Sequence, residues 1–282
     1  FYTVFRAWFE STGGGSAPAT FTPGVPILRG TAAVGRTLTA SPGDWTWRTA
    51  FRYQWLRDGQ AITGATSYTY ALRAADVGTR VTVRVTGSLA GYSSLSRTSA
   101  AKVIARGALS APTPTISGTV KVGQLLTAKP GTWTAGTTLG YQWLRDGRAI
   151  SGATRASYRP TATDNGRKLT VRVTGALPGY TTASRTSAAK TVARGTLVAP
   201  TPTISGTAKA GQVLTAKAGT WTAGTTFAYQ WLRDGRAISG ATGYRYTLKT
   251  LDAGARVSVR VTGSLAGYTT VAKTSAAKTV TR

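Results

Sequence analysis

The sequence predicts an all-β protein made of three tandem β-sandwich domains in an elongated array, preceded by a separate β-strand and a Gly-rich linker. Three observations support this prediction. A segment close to "YQWLRDGRAISGAT" occurs three times at a spacing of 88 residues. Apolar and polar residues alternate within each copy, and Gly, Asp-Gly or Pro-Gly turn signals separate the alternating runs.

The repeat defines the domains. Its tryptophans are Trp55, Trp143 and Trp231, and the same spacing aligns the rest of each copy without an insertion or deletion. Solenoid repeats use about 20–45 residues and need their neighbours to bury a core, whereas a unit of this length can hold its own core. We therefore predict domains at residues 24–106, 107–194 and 195–282.

The alternation within each copy has the period of a β-strand. In "KLTVRVTG", Leu169, Val171 and Val173 share one face, and polar residues take the other. Helical spacing does not persist, because Gly or Pro interrupts each candidate helix. Six or seven short strands separated by turns are typical of a β-sandwich. The repeated Trp should point into the core with the Tyr two residues before it, and the following Asp-Gly should form a hairpin turn.

Long segments of each copy resemble the immunoglobulin-like repeats of actinobacterial secreted and cell-surface proteins. In the second copy these segments are "GTWTAGTTLGYQWLRDGRAISGAT", "DNGRKLTVRVTGALPGY" and "RTSAAKTV", and the resemblance covers residues 24–282. It implies immunoglobulin-like sandwiches, which are attached to many different proteins. Arg80 stands where antibody-type domains carry a Tyr, and the chain has no Cys. The antibody disulfide and tyrosine corner are therefore not implied.

Two short linkers, "ARGALSAPTPT" and "ARGTLVAPTPT", join the copies. Paired prolines favour an extended, stiff chain over a loose coil. We therefore expect an elongated array with limited bending.

Residues 1–10, "FYTVFRAWFE", do not match the repeat. Both faces of their alternation are apolar, and such a strand requires burial on both sides. It is either the last strand of an upstream domain or a donor strand that completes a sheet in another subunit, including an identical one. Residues 11–23 are predicted to be a linker. The candidate assembly residues are Phe1, Tyr2, Val4, Phe5, Trp8 and Phe9.

The composition argues against catalysis. The chain has no Cys, His or Met, which removes thiolate nucleophiles, imidazole bases and the usual zinc ligands. Most of its eight acidic residues lie in Asp-Gly or Asp-x-Gly sequences, where turn formation is the expected role. These are Asp58, Asp76, Asp146, Asp164, Asp234 and Asp252. We predict a protein that is not an enzyme, without catalytic residues, metal site or cofactor.

The net charge is +27, and each copy carries an excess of +8 to +10. Such a polycation attracts polyanions. Basic residues recur on one late strand and on the next strand of each copy, and they form a cationic patch if the two strands are neighbours. The candidate polyanion-binding residues are Arg80, Arg84, Arg97, Lys168, Arg172, Arg185, Arg256, Arg260 and Lys273. The alternative is a solvated sheet face whose charge discourages aggregation.

One aromatic residue has no counterpart in the later copies. Ala135 and Ala223 stand at the positions that match Trp47. We therefore single out Trp47 as a candidate for a contact made by the first domain alone.

The sequence favours a non-catalytic array at the cell surface or outside the cell, a stiff spacer or adhesive protein that binds anionic cell-wall or surface polymers. A second hypothesis is a subunit of an ordered assembly, a filament or a phage tail or virion protein, joined through residues 1–10. A third is an accessory region of a secreted hydrolase that lies upstream. Nucleic-acid binding is less favoured, because clustered exposed aromatic residues are not evident. No stretch approaches the roughly 20 apolar residues of a membrane helix.

Overall fold

The computed structural model describes residues 20–282, and these residues form three tandem immunoglobulin-like β-sandwiches, one for each copy of the repeat. The predicted N-terminal strand, residues 1–10, and most of the predicted linker lie outside the described residues. The chain has two compact units. The first runs to Ser110 and also includes Ala176–Ala183, and the second comprises Ala111–Gly175 and Ser184–Arg282.

The first domain has eight strands in two sheets. The strands are β1 (Ile27–Arg29), β2 (Thr37–Ser41), β3 (Ala50–Arg57), β4 (Gln60–Ala61), β5 (Thr69–Ala71), β6 (Arg80–Ser88), β7 (Leu95–Thr98) and β8 (Lys102–Val103), with a 3₁₀ helix at Ala74–Asp76. One sheet has the order β1-β2-β5 and the other the order β4-β3-β6-β7, with β8 also paired to β6. A three-stranded sheet facing this larger one gives the immunoglobulin-like sandwich.

The second domain repeats this arrangement. Its strands, with a preceding linker strand, are β9 (Gly107–Ala108), β10 (Thr115–Ser117), β11 (Leu126–Lys129), β12 (Thr138–Arg145), β13 (Arg148–Ala149), β14 (Ser157–Tyr158), β15 (Lys168–Ala176), β16 (Tyr180–Thr181), β17 (Ala183–Thr186) and β18 (Lys190–Thr191). A 3₁₀ helix spans Ala162–Asp164. The sheets have the orders β10-β11-β14 and β13-β12-β15-β17, with β18 on β15.

The third domain has the same topology. Its strands, again with a linker strand first, are β19 (Gly195–Thr196), β20 (Thr203–Ser205), β21 (Val213–Lys217), β22 (Thr226–Arg233), β23 (Arg236–Ala237), β24 (Arg245–Thr247), β25 (Arg256–Ser264), β26 (Tyr268–Thr269), β27 (Val271–Thr274) and β28 (Lys278–Thr279). A 3₁₀ helix spans Thr250–Asp252. The sheets have the orders β20-β21-β24 and β23-β22-β25-β27, with β28 on β25.

Each linker strand pairs in parallel with a short strand of the domain that follows it. In the first unit β9 pairs with β16, so that Gly107 lies opposite Tyr180. In the second unit β19 pairs with β26, so that Gly195 lies opposite Tyr268. These ribbons place a tyrosine beside the linker in both units.

The core of each domain follows the predicted alternation. Leu169, Val171 and Val173 of β15 are fully buried, and the polar residues between them point outward. Trp143 is also fully buried, its indole N–H donates to the Arg155 carbonyl (3.0 Å), and its ring stacks on Tyr158 at 5.5 Å. The prediction that the repeated Trp points into the core is confirmed.

The Asp-Gly hairpin is also confirmed. Asp58 and Gly59 have φ values of 46° and 83°, and the flanking Arg57 and Gln60 form the last pair of β3 and β4. Two consecutive positive φ angles define the two-residue turn whose twist matches a β-hairpin. The equivalent Asp-Gly pairs have the same conformation in the second and third domains.

Candidate functional site: cationic surfaces on the three domains

The outer face of the larger sheet carries the first group of predicted residues. On β6, β15 and β25 buried valine and leucine side chains point inward, and the basic residues occupy exposed positions that alternate with them. Arg84 lies opposite Gln54 of β3 and Thr98 of β7, between polar neighbours. The six exposed basic residues of this outer face are Arg80, Arg84, Lys168, Arg172, Arg256 and Arg260.

The predicted basic residues of the next strand (β7, β17 or β27) do not lie on this outer face. The predicted strands are neighbours, but Arg97 lies opposite buried Val85 and therefore on the inner side of the sheet, at its exposed edge. The Thr86 and Ser96 hydroxyls meet at 2.8 Å on the outer side, which confirms the register. Lys273 lies opposite Val261 in the same way. In the second domain the Thr174 and Ser184 hydroxyls meet at 2.7 Å, as Thr86 and Ser96 do, so Arg185 takes the same side as Arg97. The expected single patch is thus corrected to two surfaces, and the edge group consists of Arg97, Arg185 and Lys273.

These cations are not neutralised from within the described chain. Within residues 20–282, the ion pairs join Arg57 to Asp76, Arg145 to Asp164, Arg167 to Asp146 and Arg233 to Asp252. None of the nine predicted polyanion-binding residues takes part in them. Each domain therefore presents exposed basic side chains that form no ion pair with the described residues, as an anion-binding surface requires.

The structure adds two cationic cavities that the sequence analysis missed. In the second domain a cavity of about 630 Å³ is lined by Arg145, Arg148 and Arg167 beside the Asp146 turn. In the third domain a cavity of about 500 Å³ is lined by Arg233, Arg236 and Asp234.

At each cavity two arginines lie directly opposite each other on paired strands. Arg145 lies directly opposite Arg148, and Arg233 lies directly opposite Arg236. Such pairs are unfavourable, although the carboxylate of Asp164 offsets the charge of Arg145. The signal in the sequence is the "RDGR" turn, which the first domain replaces with "RDGQ".

One arginine that lines each cavity is ion-paired to a buried aspartate, Arg145 to Asp164 and Arg233 to Asp252. Asp164 has no exposed surface and accepts hydrogen bonds from Arg145 Nε (2.6 Å), the Tyr158 hydroxyl (2.8 Å) and the Thr161 N–H (2.7 Å). The predicted role in a turn is thus present, since the Thr161 contact closes the 3₁₀ turn. The ion pair across the domain is an additional role, repeated by Asp76 and Asp252.

Burial and these hydrogen bonds shift the pKa values of the aspartates and of Tyr158. Burial would raise the pKa of Asp164, but the hydrogen bonds from Arg145, Thr161 and Tyr158 together hold it below the ordinary value. The pKa of Asp252 is lowered in the same manner, with Lys249 N–H, Arg233 and Tyr246 opposing the effect of burial. Burial, helped by the hydrogen bond to Asp164, raises the pKa of Tyr158 to about 12.

We expect the second and third domains to become less stable in acid, because Asp164 and Asp252 stop contributing to stability when they are protonated. A carboxyl group whose pKa is lower in the folded state stabilises the fold above its unfolded pKa, about 3.9, and this contribution disappears as the pH falls through the folded pKa. The chain has no His, so melting temperatures should change little between pH 8 and 5 and fall below about pH 4. Calorimetry across this range tests the expectation, and a decline that begins near pH 6 would contradict it.

Trp47 and Arg48 form a feature of the first domain alone. The Trp47 side chain is 77% exposed, and the Arg48 guanidinium lies 4.2 Å from the centre of its ring. Arg48 has a φ of 70°, where Gly136 and Gly224 occupy the same position in the later domains. A side chain in this region of backbone conformation costs about 1–2 kcal/mol. The structure therefore places an exposed cation–aromatic pair on a strained turn.

Among residues 20–282 no three acidic side chains come close enough to form a metal site. The described helices are single 3₁₀ turns, and none of them has the length and apolar character needed to cross a membrane.

No family model matches the chain, and no curated protein sequence matches it. Among solved structures it is similar to the ICAM-5 D1–D4 ectodomain fragment, with 18% identity over 91% of this chain and 76% of that one, at a TM-score of 0.36. It is also similar to a Ca²⁺-stabilised, ice-binding adhesin of an Antarctic bacterium (12% identity, 93% and 75% coverage, TM-score 0.33). A third similar structure holds the three N-terminal domains of the outer capsid protein Hoc of bacteriophage RB49 (18% identity, 93% and 99% coverage, TM-score 0.29). At these values the similarity gives no information about function.

Proposed function

We propose that this protein is a non-catalytic, extracellular structural or adhesive array whose domains bind anionic surface polymers. The observation that carries the proposal is the repetition, at the same place on all three domains, of exposed basic residues that form no ion pair within residues 20–282. One such residue on one sheet is adequately explained by solubility. Three equivalent surfaces on a chain with a charge of +27 create a field that concentrates polyanions along the protein.

Repetition explains how weak contacts give useful binding. An exposed Arg or Lys makes only a small contribution to affinity in water. When one domain binds a polymer, the next domain meets the same polymer at a high effective concentration, and the overall affinity exceeds that of any single surface.

The paired arginines at the hairpin cavities support the same function. Arg148 and Arg236 each lie opposite another arginine. Asp164 and Asp252 offset the charge of that second arginine, so Arg148 and Arg236 supply the positive charge that an anion in each cavity neutralises. In the first domain the Trp47–Arg48 pair adds an exposed aromatic surface beside a cation, which suits a polymer that combines rings with anionic groups.

Three matched substitutions test the position of the binding surface. The variant Arg84→Gln/Arg172→Gln/Arg260→Gln removes one outer-face cation from each domain. We expect its affinity for dextran sulfate at low salt to fall roughly tenfold, and the salt dependence of binding to become less steep. Fluorescence anisotropy of labelled polymer measures both quantities.

The control removes the same charge from the opposite sheet. Arg29, Lys129 and Lys217 are exposed residues of β1, β11 and β21, and their replacement by Gln should change the affinity less than threefold. Equal losses in both variants would show that only net charge matters. An intact protein that does not bind the polymer at low salt would disprove the proposed function.

A further inference from the structure

The cavity beside the Asp146 turn, the hairpin cavity of the second domain, collects arginines from three separate segments of one sandwich. Arg145 is the last residue of β12, Arg148 is the first residue of β13, and Arg167 directly precedes β15. Arg145 and Arg148 lie opposite each other, where Cβ atoms are about 4.5–5.5 Å apart. The cavity has a volume of about 630 Å³, so it has room for a phosphate-sized anion and several water molecules.

Arg145 is held in place by the domain and still has donors to spare. Its Nε donates to buried Asp164 at 2.6 Å, and its Nη2 donates to the Thr163 hydroxyl at 3.2 Å. A guanidinium has five N–H groups, and these two bonds do not use all of them. Because the side chain is already fixed, it loses little conformational entropy when an anion binds. Arg145 is therefore the preorganised part of the cavity.

The other two arginines supply charge that the domain does not use. Arg148 forms no ion pair with any of residues 20–282. Arg167 meets Asp146 at 3.5 Å, but the two side chains are 62% and 43% exposed, and such a pair contributes little in water. Arg148 and Arg167 are therefore able to bind an external anion at small cost.

The equivalent positions of the other two domains carry less positive charge. Gln60 replaces Arg148 in the first domain, and the position of Arg167 is taken by Thr79 in the first domain and Ala255 in the third. With the turn aspartate and the buried aspartate included, three arginines face two aspartates in the second domain, a net charge of +1. The third domain has two of each, and the first has one arginine and two aspartates. The hairpin of the second domain is thus the most positive of the three.

A tetrahedral oxyanion suits this cavity better than a planar carboxylate. A carboxylate oxygen accepts hydrogen bonds close to its own plane, whereas the oxygens of a phosphate group point in several directions. Arginines from three segments offer donors from more than one side. Arginine also binds phosphate in a bidentate manner. A phosphodiester carries one negative charge, which the net charge of the cavity neutralises.

We propose that the hairpin cavity of the second domain is a discrete binding site for one phosphate group of an anionic surface polymer. This inference rests on the proposed function and extends it, because it names the phosphate ester as the anionic class and gives the second domain a role of its own. The outer faces attract the polymer along the whole chain, and the hairpin cavity holds one of its phosphate groups.

Nuclear magnetic resonance of the full chain at constant ionic strength tests the site. Inorganic phosphate should shift the amide resonances of residues 146–148, with half-saturation on the order of 10 mM. The matching amides of residues 58–60 in the first domain should shift at least about fivefold less. Acetate should require a roughly tenfold higher concentration for the same shift. At about pH 5.5 both anions carry close to one negative charge, so the comparison reports their shape.

Two substitutions place residues of the first domain in the second. Arg148→Gln and Arg167→Thr each remove one cation, and each should weaken phosphate binding roughly fivefold. The matched control is Arg185→Gln, which removes the same charge from β17. Two strands, β12 and β15, separate β17 from β13, so this variant should bind phosphate as the unmodified chain does.

The reciprocal variant keeps the test decisive if a substitution unfolds the second domain, which circular dichroism would reveal. Gln60→Arg/Thr79→Arg gives the first domain arginines at all three positions. Phosphate should then shift the amides of residues 58–60. A first domain that stays folded and does not respond would contradict the assignment of the site to these arginines.

Three other results would overturn the proposal. They are equal shifts at all three hairpins, a shift at residues 146–148 that survives both substitutions in folded protein, and no shift there up to about 100 mM phosphate. Acetate that binds as tightly as phosphate would overturn the choice of phosphate. A chain that binds dextran sulfate but lacks the phosphate response refutes this inference alone. A chain that shows the response but does not bind the polymer refutes the proposed function.

Discussion

Replacing Asp164 with alanine should lower the free energy of unfolding of the second domain by about 3 kcal/mol. The carboxylate is fully buried and accepts from Arg145, Tyr158 and the Thr161 N–H. Alanine leaves these donors without an acceptor, and each buried donor that loses its partner costs about 1–3 kcal/mol. Arg145 is 31% exposed, so water compensates part of its loss, and the total stays below the sum of three such costs.

Hydrogen exchange in the full chain measures this effect with an internal reference. At 3 kcal/mol, protection of the β15 amides should fall roughly 100-fold, while the equivalent amides of β25 in the third domain should be unchanged. The control is Asp146→Asn, because Asp146 lies exposed in a turn with a φ of 47° that Asn tolerates. It should stay within about 0.5 kcal/mol of the unmodified protein. A loss of protection of the same size in both variants would show that burial of Asp164 is not the cause.

The fold was largely predictable because its signals are local or periodic. The alternation in β15 shows which residues face the core, and the Asp-Gly pair at Asp58 requires the backbone of a tight hairpin. The fixed repeat length then extends each local conclusion to all three domains. None of these signals depends on which distant residue a side chain contacts.

The partner of Asp76 was not predictable in this way. Its contact with the Arg73 N–H is local, and the Asp-x-Gly turn indicated it. Its ion pair with Arg57 joins residues 19 positions apart on different elements of the sandwich. Nothing in the spacing distinguishes this arginine from the exposed ones nearby, so only the fold shows that the aspartate is buried.

The cationic surface was predicted only in part for a related reason. Whether Arg97 shares a face with Arg84 depends on the register of β7 against β6, and a shift of one residue reverses the face of every side chain. The turn between these strands does not specify that register. The structure places Arg97 opposite Val85, and the two arginines therefore lie on different sides.

Gly35 and Gly123 show a further limit to what the sequence alone predicts. The repeat aligns Gly35, Gly123 and Gly211, and turn formation explains all three equally well. Gly35 and Gly123 have a second role, making room for Tyr180 and Tyr268 of the next domain, and each of these tyrosines is more than 100 positions away. That role became apparent only from the contacts of Tyr180 and Tyr268.

Gly175→Ala should destabilise the second domain by about 2 kcal/mol, although alanine fits the backbone of a strand at this position. The Trp133 indole packs against Gly175, and an added Cβ atom would lie 2.5 Å from its Cε3 and 2.8 Å from the Thr137 methyl carbon. The indole is buried and its N–H is bound to the Pro130 carbonyl at 3.1 Å. The indole cannot move away from the added Cβ without losing its buried packing and this hydrogen bond. Overpacking of this kind costs about 1–3 kcal/mol.

Gly140→Ala separates this steric effect from the effect of glycine on the unfolded chain. Gly140 lies on the neighbouring strand β12, where an added Cβ would meet only the Thr174 carbonyl at an ordinary 3.9 Å, and the third domain already has Ala228 there. Removing a glycine restricts the unfolded state, so this variant should be neutral or more stable by about 0.5 kcal/mol. Hydrogen exchange of the β15 amides measures both variants. If Gly175→Ala and Gly140→Ala change the protection of these amides equally, contact with the indole is not the reason for glycine at Gly87, Gly175 and Gly263. Backbone entropy then becomes the better explanation.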